Sequence, residues 1–214
     1  MKRATLFLVA REGWFVLIPL VVLALVLHAL VDWWATLPVL LLLVLAILFF
    51  RDRPCHVSAE PLAVIAPAGG VITHRRECYD PFLDREAIKV SIHVNLLGAY
   101  YLRSPVEGNV LELSGEAAEQ FAGTVSWLHT DEGDDVVCAI SAGHMFGARP
   151  CVGNYGTRIG QGRCCGVRRF ARQIDVYLPL YSRVMVEPGQ RVTAGASVLA
   201  KFVHKAGREC GDGK

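Results

Sequence analysis

Two apolar runs at the start of the chain, Phe15 to Val31 and Thr36 to Phe50, constrain its architecture more than any other feature. The first is broken only by His28, the second only by Thr36 itself, and Asp32-Trp33-Trp34-Ala35 lies between them. Each run falls a little short of the roughly 20 residues that cross a bilayer, but interfacial tryptophans extend the usable length. A secretory leader is not expected, because a second apolar run follows at once with no small-residue cleavage site between the two. The pattern predicts a membrane anchor over residues 1–53, a hairpin of two transmembrane helices at about 15–31 and 36–50. Lys2, Arg3 and Arg11 precede it and Arg51 and Arg53 follow it, so both ends are expected on the cytoplasmic side of the inner (cell) membrane. Pro19 and Pro38 are expected near helix starts, where proline is tolerated. His28 is expected to reach the interface and has no assigned role.

Composition changes after Pro54. Glycine and proline recur among short apolar runs, which predicts a mainly β (β-rich α+β) domain over residues 54–206, facing the cytoplasm. Strands are expected in Ala63 to Thr73 (strand, turn, strand), Ala87 to Asn95, the segment after Pro105, Val136 to Ala142 and Ile174 to Leu178, the last stopped by Pro179. Glu116 to Ala122 reads as a helical turn. Val184 to Leu199 reads as a hairpin of the kind found in lipoyl-type barrels and sandwiches, with Gly189 and Gly195 at its turns. No lysine stands at its exposed turn, as lipoyl or biotin attachment would need. The tail, 207–214, is expected to be disordered.

Net charge of +2 gives no reason to expect nucleic acid as a partner. The cysteines, Cys55, Cys78, Cys138, Cys151, Cys164, Cys165 and Cys210, are odd in number and form no Cys-x-x-Cys pair. Reduced structural thiols in a reducing compartment are expected, and no metal site.

The segment Arg169-Phe170-Ala171-Arg172-Gln173-Ile174-Asp175-Val176-Tyr177-Leu178-Pro179 resembles the C-terminal segment of the phosphatidylserine decarboxylase family in its short, membrane-anchored form. There the pattern is Arg-Phe-Gly-Ser-Arg-Val-Asp-Val-Tyr-Leu-Pro. The resemblance extends to the Arg11-Glu12-Gly13-Trp14 entry of the hairpin, its Phe49 to Pro54 exit, the Pro67-Ala68-x-Gly70 turn, the Arg103-x-Pro105-Val106-x-Gly108 segment and the C-terminal hairpin. It thins between Ser114 and Asp135, where the family carries an Asn-Glu-Arg-Asn segment and this chain has Thr130 to Asp135.

What the resemblance implies is a carboxy-lyase acting on phosphatidylserine. Decarboxylation leaves a carbanion that needs an electron sink. The family makes its sink, a pyruvoyl group, from a serine in its own backbone by self-cleavage at Gly-Ser, with a histidine base and a carboxylate assisting. Here the three positions read Arg172 for the serine, Gly69 for the carboxylate of Pro-Ala-Asp-Gly, and Tyr100 for the histidine. Arg172 carries no hydroxyl and stays protonated, so no pyruvoyl cofactor is expected. As substitutes for the missing groups, Cys164, Cys165, His93, His144 and Asp175 are in weak positions, and Ser141 and Ser182 are far along the chain.

Arg103, Arg168, Arg169 and Arg172, with Arg163, are candidates for holding a phosphate or carboxylate head group. A solvated basic face is the competing interpretation. Two functional readings follow: a homologue that has lost self-processing and serves as a lipid-binding or regulatory protein, with membrane phospholipid and a complete homologue as partners, or an active lyase using non-standard residues. A plain anchored scaffold is the third.

Overall fold

The computed structural model describes residues 13–31, 33–51, 60–95, 100–113, 115–141, 156–167 and 171–203. Two helices come first, α1 (Trp14–Leu30) and α2 (Trp33–Phe49), packed against each other. The expected hairpin therefore forms, with two corrections. α2 starts at Trp33, so both tryptophans belong to the helix and not to the turn, and Pro19 and Pro38 lie inside their helices, beyond the first turn. Each proline removes one i→i−4 bond there. Each helix has 17 residues, about 25 Å at the α-helical rise against about 30 Å of hydrocarbon. Among the described residues no helix is long and apolar enough to cross a membrane. The expected transmembrane spans thus fall short in length, although the helices are apolar on all sides: Phe15, Leu25, Leu30, Trp34 and Leu41 are all exposed.

The rest is antiparallel sheet. The strands are β1 (Ala63–Ile65), β2 (Gly70–Asp80), β3 (Arg85–Val94), β4 (Tyr101–Arg103), β5 (Gly108–Leu111), β6 (Gly123–His129), β7 (Asp135–Ser141), β8 (Arg158–Ile159), β9 (Cys164–Val167), β10 (Gln173–Pro179), β11 (Ser182–Val184), β12 (Arg191–Val192) and β13 (Val198–Phe202), with a short helix α3 (Glu116–Gln120). Eight strands form the main sheet in the order β12-β2-β3-β10-β7-β6-β5-β8; β1-β13-β11 form a second sheet and β4-β9 a two-stranded ribbon.

The family-like segment of the sequence becomes β10, near the middle of the large sheet. Its alternation is resolved by packing on two faces. Ile174, Val176 and Leu178 enter the main core with Val90, Ile92, Leu128, Val136 and Leu199. Tyr177 joins Ala87, Val137 and Ala139 on the other face, under Phe82, Phe121 and Trp127.

The C-terminal hairpin takes a different form from the one expected. Gly189 and Gly195 do sit at turns, with φ of 90° and 73° that favour glycine. But β11 pairs with β13 whereas β12 between them crosses to pair with β2. Ala63 to Thr73 is strand, turn, strand as expected, with β1 pairing to β13 and β2 to β3.

One thiol expectation is overturned. Cys165 is disulfide-bonded, with its partner outside the described residues. Cys78, Cys138 and Cys164 are reduced. The residue count alone hides this, since an odd total is compatible with any number of bridges up to three. Residues 207–214 lie outside the described residues.

Candidate functional site

The turn that carries Gly69 is held by backbone bonds from three directions. Ala66 N–H donates to Ser197 O (2.9 Å), Gly195 N–H to Ala66 O (2.8 Å) and Arg103 N–H to Pro67 O (2.8 Å). The two glycines that follow differ sharply. A Cβ at Gly70 would lie 2.2 Å from the carbonyl oxygen of His93, because β2 and β3 close on each other there. A Cβ at Gly69 would meet only Val192 O at 3.5 Å and Ala194 N at 3.6 Å, ordinary contact distances. Position 70 therefore requires glycine for packing, whereas position 69 has room for a side chain that it does not carry.

Arg172 lies just before β10 with its side chain exposed, and the preceding Ala171 is fully buried. The backbone N–H of Val94 donates to Arg172 O at 2.7 Å. Val94 is itself the register partner of Gly70. Gly70, Val94 and Arg172 thus form one row at the end of β2, β3 and β10, spanning two strand spacings or about 10 Å.

Tyr100 precedes β4 and is only 4% exposed. Its ring packs against Phe50 (centroids 5.2 Å apart), Tyr101 (5.7 Å) and Phe49 (6.0 Å), with Val167 beside it. Its link to the 69/172 row is indirect, through β4, where Arg103 N–H holds Pro67. The structure brings 69 and 172 to one end of the sheet and commits Tyr100 to an aromatic cluster.

Of the candidate head-group arginines, Arg103 is half-buried on β4 and its register partner is Cys164. The adjacent Arg163 is exposed, and its carbonyl accepts from Ser104 N–H at 2.8 Å. Arg168 and Arg169 lie outside the described residues, as does His144.

The sequence distance of Ser141 from the cleavage position is misleading. In the sheet Ser141 is the register partner of Gln173, one strand away from the residue after Arg172, and Gln173 also pairs with His93. The row His93-Gln173-Ser141 lies on the face opposite to Ile174 and holds exposed polar groups. His93 and Ser141 are separated by the whole of β10, about 10 Å, so they do not form a nucleophile–base pair. Asp175 is occupied: its carboxylate pairs with Lys89 Nζ at 2.7 Å and accepts from Gln173 Nε2 at 3.0 Å. Lys89 was missed from sequence. Its only signal was a lysine inside a strand whose neighbours on the same face are apolar or small. Ser182 is buried in β11, on the second sheet. Among the described residues no group of three or more His, Cys, Asp or Glu is placed to hold a metal ion.

The phosphatidylserine decarboxylase proenzyme of Nitrosomonas europaea is 36% identical over 206 residues, covering 91% of this chain and 95% of that protein. The chain belongs to the phosphatidylserine decarboxylase family. Proenzymes of the same name from Nitrosomonas eutropha and Burkholderia mallei are 34% identical over 206 residues and 35% identical over 211 residues, each with 91% of this chain covered. No protein-family profile matches the chain. Among solved structures, the glucose permease IIA from Mycoplasma capricolum overlaps 68% of this chain and 98% of its own at a TM-score of 0.43 and 14% identity, too remote to carry an argument.

The residues present do not fit the pyruvoyl group of a phosphatidylserine decarboxylase. At the positions where the resemblance expects a hydroxyl, a carboxylate and an imidazole, Arg172 presents an exposed guanidinium, Gly69 has no side chain, and the Tyr100 ring is packed among other rings.

Proposed function

We propose that this chain is a phosphatidylserine decarboxylase-family protein of phospholipid metabolism that does not process itself and acts by binding anionic phospholipid. The observation that supports this reading is Arg172, an exposed arginine with no hydroxyl at the position where the resemblance expects the self-cleavage serine. Gly69 and Tyr100 support it, since neither supplies a carboxylate or an imidazole. Arg103, Arg168, Arg169 and Arg172 offer the bidentate donors that phosphate and carboxylate oxygens favour.

In this reading the hairpin sits in the inner membrane with the sheet domain on the cytoplasmic side. The all-round apolar surface of α1 and α2 supports burial in hydrocarbon. A length of about 25 Å is met by local thinning of the bilayer and by the interfacial tryptophans. A complete homologue in the same membrane is the partner such a protein would regulate.

A denaturing gel and intact mass of the expressed protein test the proposal. A single 23.4 kDa chain is expected. Two fragments, the smaller starting at residue 172 with a carbonyl-bearing end, would establish the active-lyase alternative instead. Co-sedimentation with vesicles should rise with the fraction of anionic lipid and fall when Arg168 and Arg172 become alanine. Binding insensitive to both would leave a plain scaffold.

A further inference from the structure

The residue at the family's histidine position has not merely been lost; it has contacts that lead to the hairpin. Phe49 closes α2, and Phe50 N–H still donates to Ala46 O at 2.9 Å, so both rings are fixed by the helix. They meet edge-to-face with their centroids 5.2 Å apart, and Tyr100 lies against both. Tyr101 continues the stack and is the register partner of Val167, which is 5% exposed. Together Phe49, Phe50, Tyr100, Tyr101 and Val167 form a cluster apart from the main core. It joins three segments: the end of the hairpin, β4 and β9.

We infer that this cluster is a docking joint between the helical hairpin and the sheet domain, with Tyr100 as its centre. The side chain suits the task. A tyrosine offers a large apolar face and favours the tilted and edge-on geometries seen here, whereas the smaller and more polar imidazole of a histidine would fill the joint poorly. The joint also has a downstream connection. β4 carries Arg103, whose backbone N–H holds Pro67 two residues before Gly69. The position of the hairpin is therefore transmitted to the strand that bears one of the head-group arginines and to the turn beside it. The joint holds with or without lipid, so it does not rest on the lipid-binding reading.

Hydrogen exchange on the full chain in detergent micelles tests the inference. Three changes are compared: Tyr100→Ala, the pair Phe49→Ala/Phe50→Ala, and all three together. The first two should each raise exchange at 101–103 and 164–167 about tenfold, the scale set by losing aromatic pairs of this kind. All three together should add little to either, because each change opens the same joint. Tyr100→Phe should behave as the parent, and Leu25→Ala, on an exposed part of α1, should leave both segments unchanged. Hairpin substitutions that do not affect β4 and β9, or effects that multiply when combined, would overturn the inference. If Tyr100→Ala fails to fold, the Phe49→Ala/Phe50→Ala protein decides alone, since those residues lie outside the sheet domain.

Discussion

Gly70 and His93 approach so closely across the β2–β3 pair that a single added methyl on Gly70 would sit 2.2 Å from the His93 carbonyl oxygen. The neighbour Gly69 has no such restriction. One glycine of the Pro-Ala-Gly-Gly turn is thus required by packing, and the other is not.

This difference predicts opposite outcomes for two adjacent substitutions. Gly70→Ala must push β2 away from β3 and should cost about 1–3 kcal/mol, the range for overpacking, visible as a lower Tm. Gly69→Asp should fold with a Tm close to the parent. A Gly69→Asp protein as unstable as Gly70→Ala would show that position 69 has closed against its neighbours.

The pair of Lys89 and Asp175 predicts a second pattern. Both side chains are largely buried, at 15% and 9% exposure, with Nζ 2.7 Å from the carboxylate. Asp175→Asn leaves an ammonium buried without its counter-charge and should cost about 3 kcal/mol, whereas Lys89→Met with Asp175→Leu should cost much less. Burial by itself pulls the Lys89 pKa down, but the hydrogen bond and charge of Asp175 outweigh it and raise the pKa above 10.5. A raised cation stabilises fully below its unfolded pKa and loses that contribution as pH climbs through the folded one. The parent should therefore lose Tm as pH rises through the raised Lys89 value, and Lys89→Met should flatten that limb of a pH–Tm profile.

Much of this architecture was legible in the chain. β3, β7 and β10 appear where β-branched runs end in glycine, proline or polar residues, and the hairpin was visible from two apolar runs alone. Pairing was not legible: nothing local tells Val192 to leave β11 and join β2, because that choice is made by tertiary packing. The same reason hid the nearness of Ser141 to Gln173, which are adjacent only through the register of β7 and β10. Gly69 and Arg172 were assigned because short motifs bracket them, and Tyr100 from the Arg103 and Pro105 that follow it. What Tyr100 does was not legible, since its partners Phe49 and Phe50 lie in another element.

At the far end of the sheet, Asp80 predicts an unusual response to acid. Its side chain is fully buried, accepts from Phe82 N–H at 2.9 Å and lies 3.6 Å from Arg85. Burial raises its pKa above the ordinary 3.8, and the bond from Phe82 and the charge of Arg85 only partly offset this. A carboxyl whose folded pKa lies above the unfolded one binds its proton first in the folded state. Its contribution is most favourable below the ordinary value and is lost as pH rises through the raised one. Asp80→Asn keeps an acceptor for Phe82 and removes the buried charge. Its Tm should equal or exceed the parent's at pH 7, with the difference closing towards pH 4. A variant less stable than the parent across that whole range would show that the ion pair with Arg85 dominates.

The cysteines separate by environment, and that separation gives a labelling order. Cys138 is buried in β7, which pushes its thiol up to about 12 and keeps it protonated at neutral pH. Cys164 is reduced and exposed at the start of β9, whereas its neighbour Cys165 is disulfide-bonded. Thiolate fraction and access set the rate of alkylation. Among the described cysteines, iodoacetamide at pH 8 should therefore modify Cys164 first, and Cys78, half-buried, more slowly. Cys138 should react only once the sheet unfolds, and Cys165 only after reductant is added. Peptide mass mapping of a time course reads all four positions at once. Modification of Cys165 in native protein without reductant would mean that the bridge is not formed in solution, and early modification of Cys138 would mean that β7 opens far more readily than its central place in the sheet implies.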